Sequence, residues 1–165
     1  TGLFGQRSAH QEVLRQTLRT VPNDPLNQLL HRTNVNSTMD TRVVRVPVIL
    51  QRADLEPLLE SPPAWCLIER EGEDLYMVSG SELLDWLREL PLDVESADVT
   101  EAGMRRWTIA PLPMQATLRQ AMDTMTAHTT EAVCIYERSH NTGRQIPHGV
   151  VTRESIEKFT LASVL

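Results

Sequence analysis

The side chains able to do chemistry are few and scattered. Five histidines, His10, His31, His128, His140 and His148, show neither HxxxH nor HExxH spacing, so solvated or capping roles fit them better than a metal site. Cys66 and Cys134 lie inside apolar runs, Trp65-Cys66-Leu67-Ile68 and Val133-Cys134-Ile135-Tyr136, and neither has a CxxC partner. They read as small core residues of a reducing compartment, with a disulfide as the lesser alternative. The carboxylates Asp93 and Glu95, and Asp98 and Glu101, are of the type general acid–base chemistry needs. They sit in an acidic stretch without regular pattern, where a soluble loop is the simpler reading. Neither GxxxxGK[ST] nor GxGxxG occurs, so the standard phosphate cradles are missing from the sequence. With no nucleophile–base pair and no metal set, the chain does not read as an enzyme.

Two hydroxyls remain, and both stand at a change of periodicity. Ser79 follows Tyr76-Met77-Val78 and precedes Leu83, Trp86 and Leu87, an i, i+3, i+4 stripe. Thr152 follows Gly149-Val150-Val151 and precedes Ile156 and Phe159 at the same spacing. Each is a good N-cap type at a strand-to-helix switch. These switches belong to a longer repeat. Ala64-Trp65-Cys66-Leu67-Ile68-Glu69-Arg70 matches Ala132-Val133-Cys134-Ile135-Tyr136-Glu137-Arg138 at an offset of 68, and the Ser79 block matches the Thr152 block at an offset of 73. The polar loop between the two blocks is therefore longer in the second copy.

Upstream of each copy the pattern also recurs. Val43-Val44-Arg45-Val46-Pro47-Val48 reads as a strand and residues 54–60 as a short helix, stopped by Ser61-Pro62-Pro63, with Pro57 tolerable only in the first turn. Trp107-Thr108-Ile109-Ala110 leads into a helix over 116–125, with Leu118, Met122 and Met125 as its apolar face. Each half reads strand, helix, strand, strand, helix, so the fold class is α/β of the α+β kind. The boundaries predicted are 1–37 for an N-terminal helical segment, 38–90 for the first unit, 91–103 for an acidic linker and 104–165 for the second. Helices are expected over 8–18, with Val13, Leu14 and Leu18 inward, and over 26–31. The chain opens Thr1-Gly2-Leu3 without a methionine, which reads as a piece of a longer protein.

Composition narrows the class. The 165 residues carry 16 Lys+Arg against 22 Asp+Glu, a net charge of −6, which disfavours nucleic acid and anionic lipid as general partners. Hydrophobic residues make up 41% and charged residues 23%, as in an ordinary folded domain. No apolar stretch approaches the ~20 residues needed to cross a bilayer.

Two strand–helix–strand–strand–helix units in tandem resemble a pair of cystathionine-β-synthase (CBS) domains, a Bateman module. Gly149-Val150-Val151-Thr152-Arg153-Glu154-Ser155 is similar to that family's G-h-h-[ST]-x-x-[DN] signature, where h is apolar, and Tyr76-Met77-Val78-Ser79-Gly80-Ser81-Glu82 is a looser match. The resemblance covers residues 38–165. It implies a pseudo-twofold pair that does no chemistry, holds no cofactor, and senses ATP, ADP or AMP in clefts between the units. It also implies association into a homodimer. Carried over, one cleft would use Thr152, Arg153 and Ser155 with Val46 and Trp65 near the base. The other would use Ser79 and Glu82 with Thr108 and Ala132. Trp65 could stack on adenine or fill the core, and Arg153 could face a phosphate or water; Arg105 and Arg106 could line a cleft mouth. Ser155 stands where the signature has a carboxylate and Glu82 is one methylene longer. Replacing the carboxylate with a hydroxyl loses hydrogen bonds worth ~1–3 kcal/mol, roughly tenfold to a hundredfold in affinity. Residues 5–15 resemble the stretch after the last membrane helix of CLC chloride channels, some of which carry a C-terminal CBS pair. That resemblance implies a membrane-embedded channel or transporter domain as partner and a position on the cytoplasmic face of the inner membrane.

Overall fold

The computed structural model describes residues 25–164. The helix expected over 8–18 lies outside them. Helix α1 (Pro25–Arg32) opens the described chain, with proline at its first position, where a missing N–H costs nothing. The first unit then runs β1 (Val43–Pro47), β2 (Ile49–Gln51), α2 (Leu55–Glu60), β3 (Trp65–Arg70), β4 (Glu73–Ser79) and α3 (Gly80–Arg88). After β5 (Ser96–Asp98), the second unit runs β6 (Ile109–Pro113), α4 (Leu118–His128), β7 (Ala132–Arg138), β8 (Gln145–Thr152) and α5 (Arg153–Val164). The mixed α+β class and the doubled strand–helix–strand–strand–helix order are as expected from the sequence. Pro57 falls in the first turn of α2, and α2 has 6 residues against 11 in α4. A reciprocal capping box, Gln120 N–H to Thr117 Oγ1 at 3.2 Å and Thr117 N–H to Gln120 Oε1 at 2.9 Å, starts α4.

The sheets β1-β3-β4 and β6-β7-β8 share one pairing scheme, a parallel pair followed by an antiparallel hairpin. Each hairpin has an irregularity at the same place, between Ile68 and Glu69 in one and between Ile135 and Tyr136 in the other. This register corrects the sequence alignment by one residue. Trp65 opposes Ser79 and Ala132 opposes Thr152, so Trp65 answers to Ala132, Leu67 to Cys134 and Ile68 to Ile135, an offset of 67 and not 68. The cysteines are therefore not equivalent. A one-residue slip reverses every side chain's face, and they point opposite ways. Cys66 packs under its own unit's helix with Val78 and Leu83, whereas Cys134 packs between the sheets with Leu67 and Met77. The offset of 73 between Ser79 and Thr152 stands.

Three apolar clusters follow from this. One lies under the helices of each unit, and the third, built on Leu67, Met77, Ala132, Cys134 and Val150, lies between the sheets. The lead-in to each unit crosses to the other sheet. Trp107 exchanges two backbone hydrogen bonds with Met77 at 2.7 and 3.0 Å, and Asp40 exchanges two with Val150, both at 2.9 Å. Each bridge covers the open edge of a hairpin strand. Helix α1 and the 3-10 turn after it also serve the second unit, because Leu30 and Val35 are buried in its core.

The stretch 91–103, read as irregular, holds β5, which pairs antiparallel with β2, and a 3-10 turn, Val99–Glu101, capped by the Asp98 carboxylate. Val99 is buried in the first unit's core. A three-residue strand is too short to show a period.

Both thiols are fully buried, and desolvation pushes each up to about 12; the neighbouring Tyr136 hydroxyl only partly offsets this for Cys134. Neither should react with a chromogenic disulfide reagent within minutes at pH 8, and both should titrate after unfolding. Rapid reaction of one thiol in the native chain would contradict its burial. Gly80 tests a tighter constraint, since a Cβ there would lie 1.9 Å from the Pro63 carbonyl oxygen, a backbone atom. Gly80→Ala should cost ~2–4 kcal/mol in urea unfolding, whereas Gly103→Ala, in open space, should be near neutral.

Candidate functional site

The hydroxyl-bearing strand-to-helix junctions lie at one end of the two sheets. In the first unit Ser79 precedes α3 and its Oγ lies 2.9 Å from Ser81 Oγ. Glu82 projects from the first turn of α3, exposed, into a hollow of about 320 Å³ shared with Asp85, Trp86, Glu89, Met104 and Arg105. Trp65, across from Ser79, meets Trp107 edge to face with ring centroids 5.1 Å apart. The Arg105 guanidinium covers Trp107 at 3.6 Å and pairs with Glu131 at 2.6 Å. Trp107 thus joins the first unit's junction to the second unit's lead-in.

In the second unit Thr152 and Ser155 form a closed capping box. Ser155 N–H donates to Thr152 Oγ1 at 3.1 Å, Thr152 N–H to Ser155 Oγ at 3.1 Å, and Ser155 Oγ–H to the Thr152 carbonyl at 2.8 Å. Thr108 stands beside this junction, accepting from Glu131 N–H through Oγ1 at 3.2 Å and from Ala132 N–H through its carbonyl at 3.3 Å. Arg153, half-buried, opens α5. On the facing lead-in, Asp40 accepts a bidentate pair from Arg42 at 3.3 and 3.1 Å. Partial burial works against its charge, but the Arg42 hydrogen bonds prevail and hold its carboxyl below the usual range.

The expected site residues are thus grouped differently from the sequence reading. Trp65 was expected with Thr152 but shares a strand pair with Ser79; Ala132 was expected with Ser79 but shares one with Thr152. Thr108 belongs with Ala132 and Thr152. Val46 is at no cleft. It pairs with Ile68 near the far end of β1 and is 1% exposed beneath the first unit's helices. Alternation along β1 explains this, because Val43 and Arg45 take the inter-sheet face and Val46 the helix face. Arg105 does reach the junction, while Arg106 turns away to Tyr76 and the Thr100 carbonyl. Trp107 and Glu131 were missed, and an aromatic just before a strand was the available signal for Trp107.

The opposite end carries a polar rim that no local pattern announced. Arg45 donates to both carboxylate oxygens of Asp74, each at 3.1 Å, and to the Gln145 carbonyl at 2.9 Å. The Tyr136 hydroxyl donates to Asp74, and Arg144 pairs with Glu69 at 2.7 Å. Burial, then the neighbouring Cys134 and Asp74, push the Tyr136 phenol well above its ordinary range, so it stays a donor. Among the described residues no group of three or more His, Cys, Asp or Glu could hold a metal ion, and no helix is long and apolar enough to cross a membrane.

Fold and junctions together define a duplicated α+β module with a hydroxyl at the last strand-to-helix junction of each unit; Thr152 caps its helix, whereas Ser79 makes no side-chain cap hydrogen bond. No family model matches the chain, and no curated protein does. Among solved structures it is similar to the CBS domain of the bacterial CNNM/CorC family Mg2+ transporter, 13% identical over 92% of this chain and 94% of that one, with a TM-score of 0.48. It is also similar to the same family's CBS domain in complex with ATP (16% identical, 82% and 92% covered, TM-score 0.47). A hemolysin-like protein containing a CBS domain from Oenococcus oeni PSU is 16% identical over 81% and 93%, with a TM-score of 0.47.

Tyr136→Phe removes one hydrogen bond to a charged acceptor 10% exposed. It should lower unfolding free energy by ~1–3 kcal/mol, and the loss should shrink when Asp74 is already Asn. Additive losses in that double-mutant cycle would show that the hydroxyl does not act through Asp74.

Proposed function

We propose that this chain is a tandem CBS domain pair that regulates, without catalysis, a membrane transport protein to which it is joined. The reading favoured is a CLC-type chloride channel or proton/chloride antiporter, with the pair on the cytoplasmic face of the inner membrane. The observation that carries it is the duplication itself. Two units of the same pairing scheme, each with its hairpin irregularity at the same place and a hydroxyl at its last strand-to-helix junction, lean on one shared apolar layer. The junctions offer hydroxyls, a carboxylate at Glu82 and aromatic rings at Trp65 and Trp107, which suit the ribose, phosphate and base of an adenine nucleotide. Control by such a ligand requires unequal affinity for two arrangements of the units. The alternative parent is another transporter or an enzyme.

One observation favours a second reading, a docking and dimerisation element without ligand. The Thr152 and Ser155 hydroxyls are committed to their own backbone, and Ser155 stands where a carboxylate would face a ribose diol.

Calorimetry with ATP, ADP and AMP separates the two, on a sample whose sedimentation is expected to report a dimer. The sensor predicts saturable heat with micromolar to millimolar affinity. It also predicts that Ser155→Asp tightens binding by ~tenfold or more, since an aspartate can keep one oxygen on the Thr152 N–H and offer the other, with its charge, to a ribose diol. Silence with all three nucleotides from a folded sample, and no gain in Ser155→Asp, would leave the docking reading.

A further inference from the structure

The rim opposite the junctions carries a feature of only one unit. The first unit's hairpin turns tightly through Glu71 and Gly72, both at positive φ. The second unit's hairpin is longer and stands over the end of β6. Beneath it lies a hollow of about 570 Å³, lined by Pro111, Leu112, Pro113 and Met114 on one side and by Arg138 and His140 on the other. Tyr136, Glu137, Gln115 and Gln145 complete it. We propose that this hollow is a ligand site for a small organic anion, a carboxylate or phosphate carried on a flat apolar body.

Three observations converge on that class. First, basic side chains gather around it. The hairpin over 138–148 carries Arg138 and Arg144 and no carboxylate, and Glu137, the acidic residue of the lining, lies 3.7 Å from His148. Second, the cation facing the hollow is uncommitted. Arg45 and Arg144 are paired with Asp74 and Glu69, and Glu137 lies 3.7 Å from His148, but the side chains of Arg138 and His140 have no hydrogen bond or ion pair among the described residues. An unpaired guanidinium presents a fork that matches a carboxylate or phosphate in two bonds. Third, the walls are held in place without a ligand. Arg45 ties the Gln145 carbonyl, Arg144 ties Glu69, and Tyr136 ties Asp74, while Ser139 N–H bonds the Arg144 carbonyl and Gly143 N–H the Ser139 carbonyl, both at 2.9 Å. A preformed cavity loses less order on binding. The opposite wall is apolar and stiff, since Pro111 and Pro113 line it with Leu112 and Met114 and their rings fix the backbone φ.

This site does not rest on the nucleotide reading. Arg138 lies six residues along β7 from Ala132, about 20 Å at strand rise, so the two ends report separately. The test is a two-dimensional amide NMR titration of the chain with phenyl phosphate and with inorganic phosphate. Phenyl phosphate should shift, saturably, the amides of residues 112–115, 136–140 and 145, and bind ~tenfold or more tighter than inorganic phosphate. Arg138→Ala should weaken it by ~tenfold or more, whereas Arg88→Ala, at an exposed pair with Asp85, should leave it unchanged. The proposal is overturned if these amides do not move, if Arg138→Ala binds as well as the native chain, or if inorganic phosphate matches phenyl phosphate. Shifts confined to the Ser79 and Thr152 junctions would count against it too.

Discussion

The shared layer between the two sheets is the constraint on which the rest depends. Each sheet has one face covered by its own unit's helices, and its other face, with Leu67 and Met77 in one unit and Cys134 and Val150 in the other, is covered only by the partner sheet. Burying a side chain of this size is worth ~1.5–3 kcal/mol relative to exposure, so neither unit is complete alone. The backbone bridges Met77–Trp107 and Asp40–Val150 lock the same arrangement from both sides, because each lead-in satisfies the other unit's sheet edge. The pair is thereby one cooperative body rather than two beads on a linker.

That interlocking sets the character of both ends. At the junctions, crossing of the lead-ins brings Trp107 onto Trp65 and Asp40 onto β8, so each candidate cleft is walled by residues of both units. Any molecule seated there touches both, which is the physical requirement for reading a ligand out as a change between units. The two junctions are nevertheless chemically unlike. One leaves Glu82 exposed, and the other folds its hydroxyls back onto the helix start.

At the rim the duplication is broken: Arg45 and Asp74 come from the first unit, Tyr136 and the Gln145 carbonyl from the second, and the positions equivalent to Arg45, Asp74 and Tyr136 hold Pro111, Pro147 and Glu69. The first unit supplies a half-buried ion pair, and the second closes it with a phenol and a carbonyl. The longer hairpin of the second unit stands on that base. The same asymmetry appears in the helical layer, where α1 completes the second unit's core and Val99, beyond α3, completes the first's.

The sequence by itself determined the doubled strand–helix–strand–strand–helix order and the Thr152 cap, but not the short pair β2 and β5 or the uncapped start at Ser79. Thr152 before Ile156 and Phe159, and the Ser61-Pro62-Pro63 stop after α2, are signals carried within one turn or one strand, and they survive without knowledge of distant partners. Only the tertiary structure decided which face each strand residue takes and which unit it meets. Cys66 and Cys134 look identical in their short motifs, yet a register one residue different sends one to the helices and the other to the sheet interface. Val46 looked as eligible for a cleft as Trp65, and strand alternation buried it. The Arg45–Asp74–Tyr136 rim joins residues 29 and 62 positions apart, and no local period records a pairing that exists only once the two sheets have closed on each other.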